Sequence, residues 1–350
     1  MNEHIKIPEG TPFNAIGHPV RRKEDARLLT GKGRFSDDFN IDGQVFMAVV
    51  RSPRPHARIV RIGTETAKKM KGVLAVLTGA EAAADGLQPL PHTPVPSTRY
   101  DMKLTAPGGG EVFAGPNVLL PQDKARYVGE AIAIVVGETK AQAMDGAEAV
   151  EVEYEDLPFV SHSEDALAKG APVIWDAVKD NVLVDTYFGD KAKTDAAFAA
   201  ADHVVKHEFN IARVTAVTME LRAALGHYDT KTDRYTLYAG SGGAVKQKQE
   251  IAGALGIAPR QLRILSFDVG GNFGARNRPY VEFGLVLWAS RKVGRAVKYT
   301  ATRSEAFLTD YQGRDLISKV ELAIRKDGKF LALDRKSTRL NSSHRCISYA

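Results

Sequence analysis

Residues 268–278 read DVGGNFGARNR, three glycines and an asparagine around a single phenylalanine, after an apolar run QLRILSF and before a longer one, YVEFGLVLWASRKV. A strand that feeds a glycine-rich turn at the start of a helix leaves backbone N–H groups pointing outward, and these suit phosphate or another oxygen-rich ligand. The spacing is not a dinucleotide-binding fingerprint, because Asn272 stands where that pattern needs its second glycine. It is not a P-loop either, since no Lys-Ser/Thr pair follows. The plain alternative is a tight turn whose glycines serve only to reverse the chain.

A second cluster, YAGSGGAVKQ at 238–247, again runs from strand to helix through small residues, so two such loops could converge on one ligand. AGSGG also resembles the nucleophile elbow of serine hydrolases, with Ser241 as nucleophile. A triad in that chain order needs a later histidine, and the sequence supplies only His344. His203 and His207 stand four apart, as metal ligands on a helix would, but their valine-rich surroundings read as a strand with both on its polar face. Glu130, Glu220 and Glu282 adjoin glycine-rich or apolar segments; each is expected to be a structural hydrogen-bond or ion-pair partner rather than a general base. The single cysteine, Cys346, excludes an internal disulfide and any cysteine-held zinc or iron–sulfur site within this chain.

The elements that must carry these loops are legible in outline. Strands are expected at 43–53, within 125–137 and before 158, with helices at 64–70 and 138–149 and a strand turning into helix over 72–86. Residues 87–122, rich in proline and glycine, read as an irregular excursion. A second body begins near 191: a helix at 195–201, a strand at 203–214, a hairpin at 222–240, a helix at 244–256, a strand at 260–269, the glycine loop, and a helix at 280–294. KVELAIRKDGKFLALD (319–334) reads as a hairpin turning at KDGK. Mixed runs of this kind imply an α+β fold with helices packed on sheet.

Composition narrows the function classes. With 350 residues the chain can bury about two cores, and 44% hydrophobic with 26% charged residues is ordinary for a globular protein. The formal charge of +6 invites a nucleic-acid reading, but RKSTRLNSSHRCISYA (335–350) carries four basic residues and no acid; without it, 44 basic residues face 42 acidic ones. The remaining charges interleave, so no nucleic-acid partner is expected. The longest apolar stretch, AIAIVV at 131–136, is too short to span a bilayer, and the expected location is the cytoplasm. At 335 the strand alternation gives way to a Ser/Arg/Asn-rich run, and residues 335–350 are expected to be non-native.

GHPVRRKEDARLLTGKGRFSDD, SPRPHARI, RYVGEAIAIVV with AEAVEVEYEDLP, TMELRAALGHYD, DVGGNFG and TRSEAFLTDYQGRD follow one another along the chain. In that order they resemble the large, molybdenum-binding subunit of the xanthine dehydrogenase, aldehyde oxidase and carbon monoxide dehydrogenase family. The resemblance implies an N-terminal tail at 1–15, an α/β hammerhead domain at 16–158, a connector at 159–190, and the incomplete first part of a molybdopterin-binding domain at 191–334. It implies cofactor contacts from Gly242, Gly243, Gly270, Gly271, Asn272, Phe273 and Gly274, with Phe273 near the metal centre. The cofactor would be molybdenum-molybdopterin or its cytosine dinucleotide form. Implied partners are an iron–sulfur subunit and an FAD subunit. The implied reaction is hydroxylation of an aldehyde, an N-heterocycle or carbon monoxide with oxygen from water.

Three departures from the family form stand out. Where the earlier loop often carries Gln-Gly, this chain has Gly242-Gly243; where the later loop has glycine, it has Asn272, and Leu221 replaces a proline. The family's glutamate base is expected beyond 334, so no catalytic residue and no protein metal ligand is expected within these residues, and the chain alone is expected to be inactive.

Overall fold

A computed structural model of the protein describes residues 22–91 and 103–339. Two units divide between Arg34 and Phe35. In the first, a short helix, Asp25–Leu29, begins beside an Arg22–Asp25 ion pair of 2.8 Å.

The second unit is built on a seven-stranded mixed sheet. Its strands lie in the order Leu262–Leu265, Arg234–Ala239, Ala223–Asp229, Val297–Thr300, Val45–Arg51, Ala131–Gly137 and Val73–Thr78. Two neighbouring pairs are parallel, Leu262–Leu265 with Arg234–Ala239 and Val297–Thr300 with Val45–Arg51; the others are antiparallel. The sheet thus contains strands from both sides of the 159–190 segment. Ala131–Gly137 is buried at every position, which is why it reads as a continuous apolar run and not as an alternation.

Helix Val281–Val293 lies on this sheet, and ten successive residues from Val281 to Ser290 are buried. A helix apolar on all sides must be covered on all sides. Toward the sheet, a Cβ on Gly226 would come within 2.7 Å of the Val286 backbone; on another side, one on Gly284 would come within 2.7 Å of Leu119. Helix Lys140–Glu148 packs as closely on the other half of the sheet, where Gly146 faces Val135 and Val73. Glycine at these contacts sets the layer spacing.

One charged cluster is buried between the two halves of the sheet. Glu282 Oε1 accepts from Arg51 Nη2 at 2.7 Å and from Arg222 Nη2 at 3.0 Å. Arg222, fully buried, also donates to Asp310 and lies 4.2 Å over the Tyr280 ring. Arg51 donates to Glu305 at 2.8 Å and to the Tyr299 hydroxyl at 2.8 Å. Charges this deep persist only when paired and hydrogen-bonded. Burial, with Arg51 and Arg222 acting against it, pushes the Tyr299 phenol far above its usual range.

A two-stranded pair, Val214–Thr215 with Gln312–Gly313, and two three-stranded sheets complete the unit. One places Ala57–Gly63 between Lys124–Ala125 and Glu151–Asp156. The other is antiparallel, Phe330–Arg339, Leu316–Ile324 and His203–Ile211, and its outermost strand His203–Ile211 is exposed throughout. His203 and His207 sit on that strand, but on the face they share with Val205, Phe209 and Ile211 and not on the expected polar face, which Lys206, Glu208 and Asn210 form; no cluster of three potential metal ligands occurs among the described residues. Backbone pairing of the hairpin continues past Asp334 to Arg339, opposite Leu316, and the Ser337 and Ser318 hydroxyls lie 2.8 Å apart.

Most expected elements are present, with shifted ends. Helix Lys191–Ala199 begins four residues before the expected 195–201, and strand Leu262–Leu265 ends well before 269. Strands Ala57–Gly63 and Val297–Thr300 and helix Arg303–Thr309 were not expected. His344 and Cys346 lie outside the described residues.

Candidate functional site

The two glycine loops leave the C-terminal ends of neighbouring parallel strands, Arg234–Ala239 and Leu262–Leu265. The crevice at such ends is where open α/β sheets bind ligands, because chain leaving in two directions opens a gap over the sheet. The loops are joined: Gly242 N donates to Arg276 O at 2.8 Å, and Ser241 N to Ser266 Oγ at 3.0 Å.

A third segment, 216–222, braces the later loop. Glu220 N donates to Gly270 O at 3.1 Å, while Gly270 N donates to Glu220 Oε2 at 2.7 Å. The buried Arg276 guanidinium donates to Thr218 Oγ1 at 3.2 Å and to Glu220 O at 2.8 Å. Glu220 is therefore a brace, as expected. Arg276 is a residue that the sequence reading missed; an arginine that tethers a loop has no spacing signature.

Within the later loop the backbone is unusual. Gly271 lies at φ +119°, Phe273 at +48° and Gly274 at +89°. Asn272 Oδ1 accepts from Gly274 N at 3.0 Å and from Arg276 N at 3.3 Å, closing the turn beneath Phe273. The phenylalanine is 80% exposed. A large apolar side chain held outward at positive φ is a costly arrangement that surrounding bonds must maintain.

One expectation needs correction. The later loop does not open directly into a helix: a 3-10 turn, Ala275–Asn277, and an extended Arg278 intervene before Val281. Pro279 is the physical reason, since the residue before a proline is pushed out of helical geometry. Only the earlier loop abuts a helix, Ala244–Ala254, with Gly243 at its N-cap. Its first N–H groups have no acceptor within the helix. On that helix Glu250 is raised above the usual carboxylate range by burial, against the pull of Lys246 and Arg278.

Seven candidate residues are thus placed in one region, with different surroundings. A Cβ on Gly270 would meet Glu220 Cβ at 2.6 Å, and one on Gly242 would meet Asn277 Oδ1 at 2.1 Å; beside Gly243 and Gly274 nothing lies within 4 Å. Open space along two glycine backbones, next to a helix N-terminus, is the feature that fits an oxygen-rich cofactor. The Ser241 hydroxyl accepts the Gly243 N–H at 3.0 Å, a local bond of the helix entry and not a bond to a base. A hollow of about 1730 Å³ is lined by Trp175, Tyr187, Phe198 and Phe307 among others, and none of the seven candidates lines it.

Residues 30–158 match the family model of the aldehyde oxidase and xanthine dehydrogenase a/b hammerhead domain, and residues 174–343 match that of the molybdopterin cofactor-binding domain. The nicotine 6-hydroxylase large subunit of Paenarthrobacter nicotinovorans is 34% identical over 332 residues, covering 94% of this chain and 38% of its own. The carbon monoxide dehydrogenase large chain of Hydrogenophaga pseudoflava is 33% identical, covering 95% of this chain and 41% of its own. Among solved structures, quinoline 2-oxidoreductase of Pseudomonas putida 86 superposes with a TM-score of 0.82 at 33% identity, over 93% of this chain and 39% of that one. The chain thus spans about two-fifths of the length of these relatives.

Proposed function

Because the chain belongs to the family of molybdenum-binding large subunits of xanthine dehydrogenase, aldehyde oxidase and carbon monoxide dehydrogenase, we propose that it forms the cofactor-cradling part of a molybdenum-dependent hydroxylase. The observation that carries this reading is the pair of glycine loops on adjacent parallel strands, bonded to each other, with open space beside Gly243 and Gly274. Gly242, Gly243, Gly270, Gly271, Asn272, Phe273 and Gly274 are the residues proposed to hold the molybdopterin cofactor. When bound, that cofactor supplies two-electron oxidation of a substrate carbon with oxygen from water.

The chain's own part is to bind and to exclude water. Backbone N–H groups at the start of helix Ala244–Ala254 favour anionic oxygens through the helix dipole. Phe273 covers the reacting region with an apolar ring, and the Glu220 and Arg276 bonds keep its loop from relaxing. The general base is proposed to come from outside residues 1–334, so the chain alone binds without turning over substrate. Aldehydes, N-heterocycles and carbon monoxide are the proposed substrate classes. Iron–sulfur and FAD subunits in the cytoplasm are the proposed electron acceptors. Among the described residues no helix is long and apolar enough to cross a membrane.

The test is to purify the protein from a host that makes molybdopterin and to measure molybdenum and released pterin fluorescence. Stoichiometric pterin is expected; a protein that folds but carries none would overturn the reading. Loss of ester hydrolysis in Ser241→Ala would instead support a serine hydrolase.

A further inference from the structure

The earlier loop has no side chain at 242, and its neighbours show what fills that place. The atom nearest to a Cβ built on Gly242 is Asn277 Oδ1, at 2.1 Å, and the next residue met is Asn272, through Nδ2 at 2.6 Å. These two atoms are partners, Asn272 Nδ2 donating to Asn277 Oδ1 at 3.0 Å. The backbone of Gly242 does not need glycine for its own conformation, since its φ is not in the left-handed region. Glycine is needed there because an amide pair from the other loop already occupies the space.

We infer that Asn272 and Asn277 take over the role of a side chain at 242, so that the carboxamide standing between the two loops is delivered by the later loop. Gly242, Asn272 and Asn277 then form a single packing unit. Asn272 is the positioning member, its Oδ1 held by Gly274 N and Arg276 N. Asn277, exposed and beside Gly242, is the ligand-facing member. An amide NH2 carries two donors, which suit an oxygen or nitrogen acceptor on the edge of a pterin. This inference rests on the proposed cofactor reading, but its packing half does not.

The experiment is a double-mutant cycle on the full protein, Gly242→Gln, Asn272→Gly and both together, with Asn277→Ala beside them. Thermal midpoint and bound pterin are both read. Gly242→Gln is expected to lower Tm by about 4 °C, as overpacking does, and to cut retained pterin several-fold. The double variant, in which Asn277 is released to turn outward and the carboxamide introduced at 242 stands in its place, recovers at least half of both losses. Asn277→Ala keeps Tm and loses pterin. The inference is overturned if Gly242→Gln is as stable as wild type, if the double variant is no better than Gly242→Gln, or if Asn277→Ala retains full pterin. Wild-type protein without pterin would sink the proposed function, and the Tm cycle would still decide whether 242 and 272 share one space.

Discussion

At Gly271 the backbone stands at φ +119° with Thr218 Cβ 3.1 Å from the place of a side chain, whereas Gly243 is extended at φ −179° with nothing within 4 Å. The two glycines therefore serve different ends, conformation at the first and access at the second. Gly271→Ala is expected to cost about 1–2 kcal/mol in unfolding free energy, because an L side chain is strained there. Gly243→Ala should cost under about 1 kcal/mol, the ordinary price of a poorer N-cap. Yet it should lower pterin retention, because the methyl enters the open space; denaturant midpoints and pterin content, measured on both variants, separate the two roles. If Gly243→Ala retains full pterin, the earlier loop does not face the cofactor. Arg222 gives a stronger contrast. Arg222→Met leaves Asp310 buried beside an apolar chain and takes one of two guanidinium partners from Glu282, so a loss of about 3 kcal/mol or more is expected in urea unfolding. At this scale the sequence showed the glycines through composition alone. That Asn272 fills the space at 242, or which backbone group the expected hydrogen bond of Glu220 would reach, was not legible, because those contacts join residues 30 and 50 positions apart.

Among elements, the legible ones were those whose periodicity is local. Helices Ala244–Ala254 and Val281–Val293 and the hairpin of Ala223–Asp229 with Arg234–Ala239 follow from apolar spacing and turn residues. Strand Val297–Thr300 is only four residues long, and its parallel partner, Val45–Arg51, lies some 250 residues earlier; neither periodicity nor a turn announces such a pairing. Helix Val281–Val293 is fixed from both sides, and each contact can be tested. A Cβ at 226 would lie 2.7 Å from the Val286 carbonyl carbon, so Gly226→Ala must push helix from sheet and is expected to cost about 1–3 kcal/mol, read as a lower urea midpoint. At the other contact, Asp85 accepts from Lys292 Nζ at 2.8 Å and Trp288 Nε1 at 2.7 Å, and the hydrogen bond from Lys292 foremost holds its carboxyl below the usual range. A carboxyl with a lowered folded pKa adds stability above its unfolded pKa of about 3.9 and loses it as pH falls through the folded value. Asp85→Asn should therefore lower Tm at pH 7, and the difference from wild type should close below about pH 4. With Asp85 and Lys292 both more than a third exposed, solvent screening keeps the effect under about 1 kcal/mol. A gap that stays constant down to pH 2 would mean that the carboxylate charge is not what matters.

For the whole molecule, the informative surface is the three-stranded sheet that ends in His203–Ile211. Val205, Phe209 and Ile211 alternate along one side of that strand, 53%, 48% and 39% exposed, and Leu333 on the far strand of the sheet, paired two strands across through Leu322, is 60% exposed. Side chains two apart share a face, so these residues, with His203 and His207 among them, form a largely apolar stripe on an edge strand. Native proteins cover or charge such edges, and a bare one is a template for association. The relatives are more than twice as long as this chain, so the face has ample polypeptide to meet in proteins of their size. The 350-residue chain studied by itself is accordingly expected to self-associate at micromolar concentration, with a sedimentation coefficient that rises with loading. Val205→Lys combined with Phe209→Lys should return it to monomer without changing Tm by more than about 2 °C, since both positions are solvent-facing. A wild-type chain that stays monomeric at high concentration would show that water tolerates this edge. The candidate site offers open glycine backbone and the three-stranded sheet an open strand edge, so at both places the second unit presents surface that a folded chain normally keeps covered.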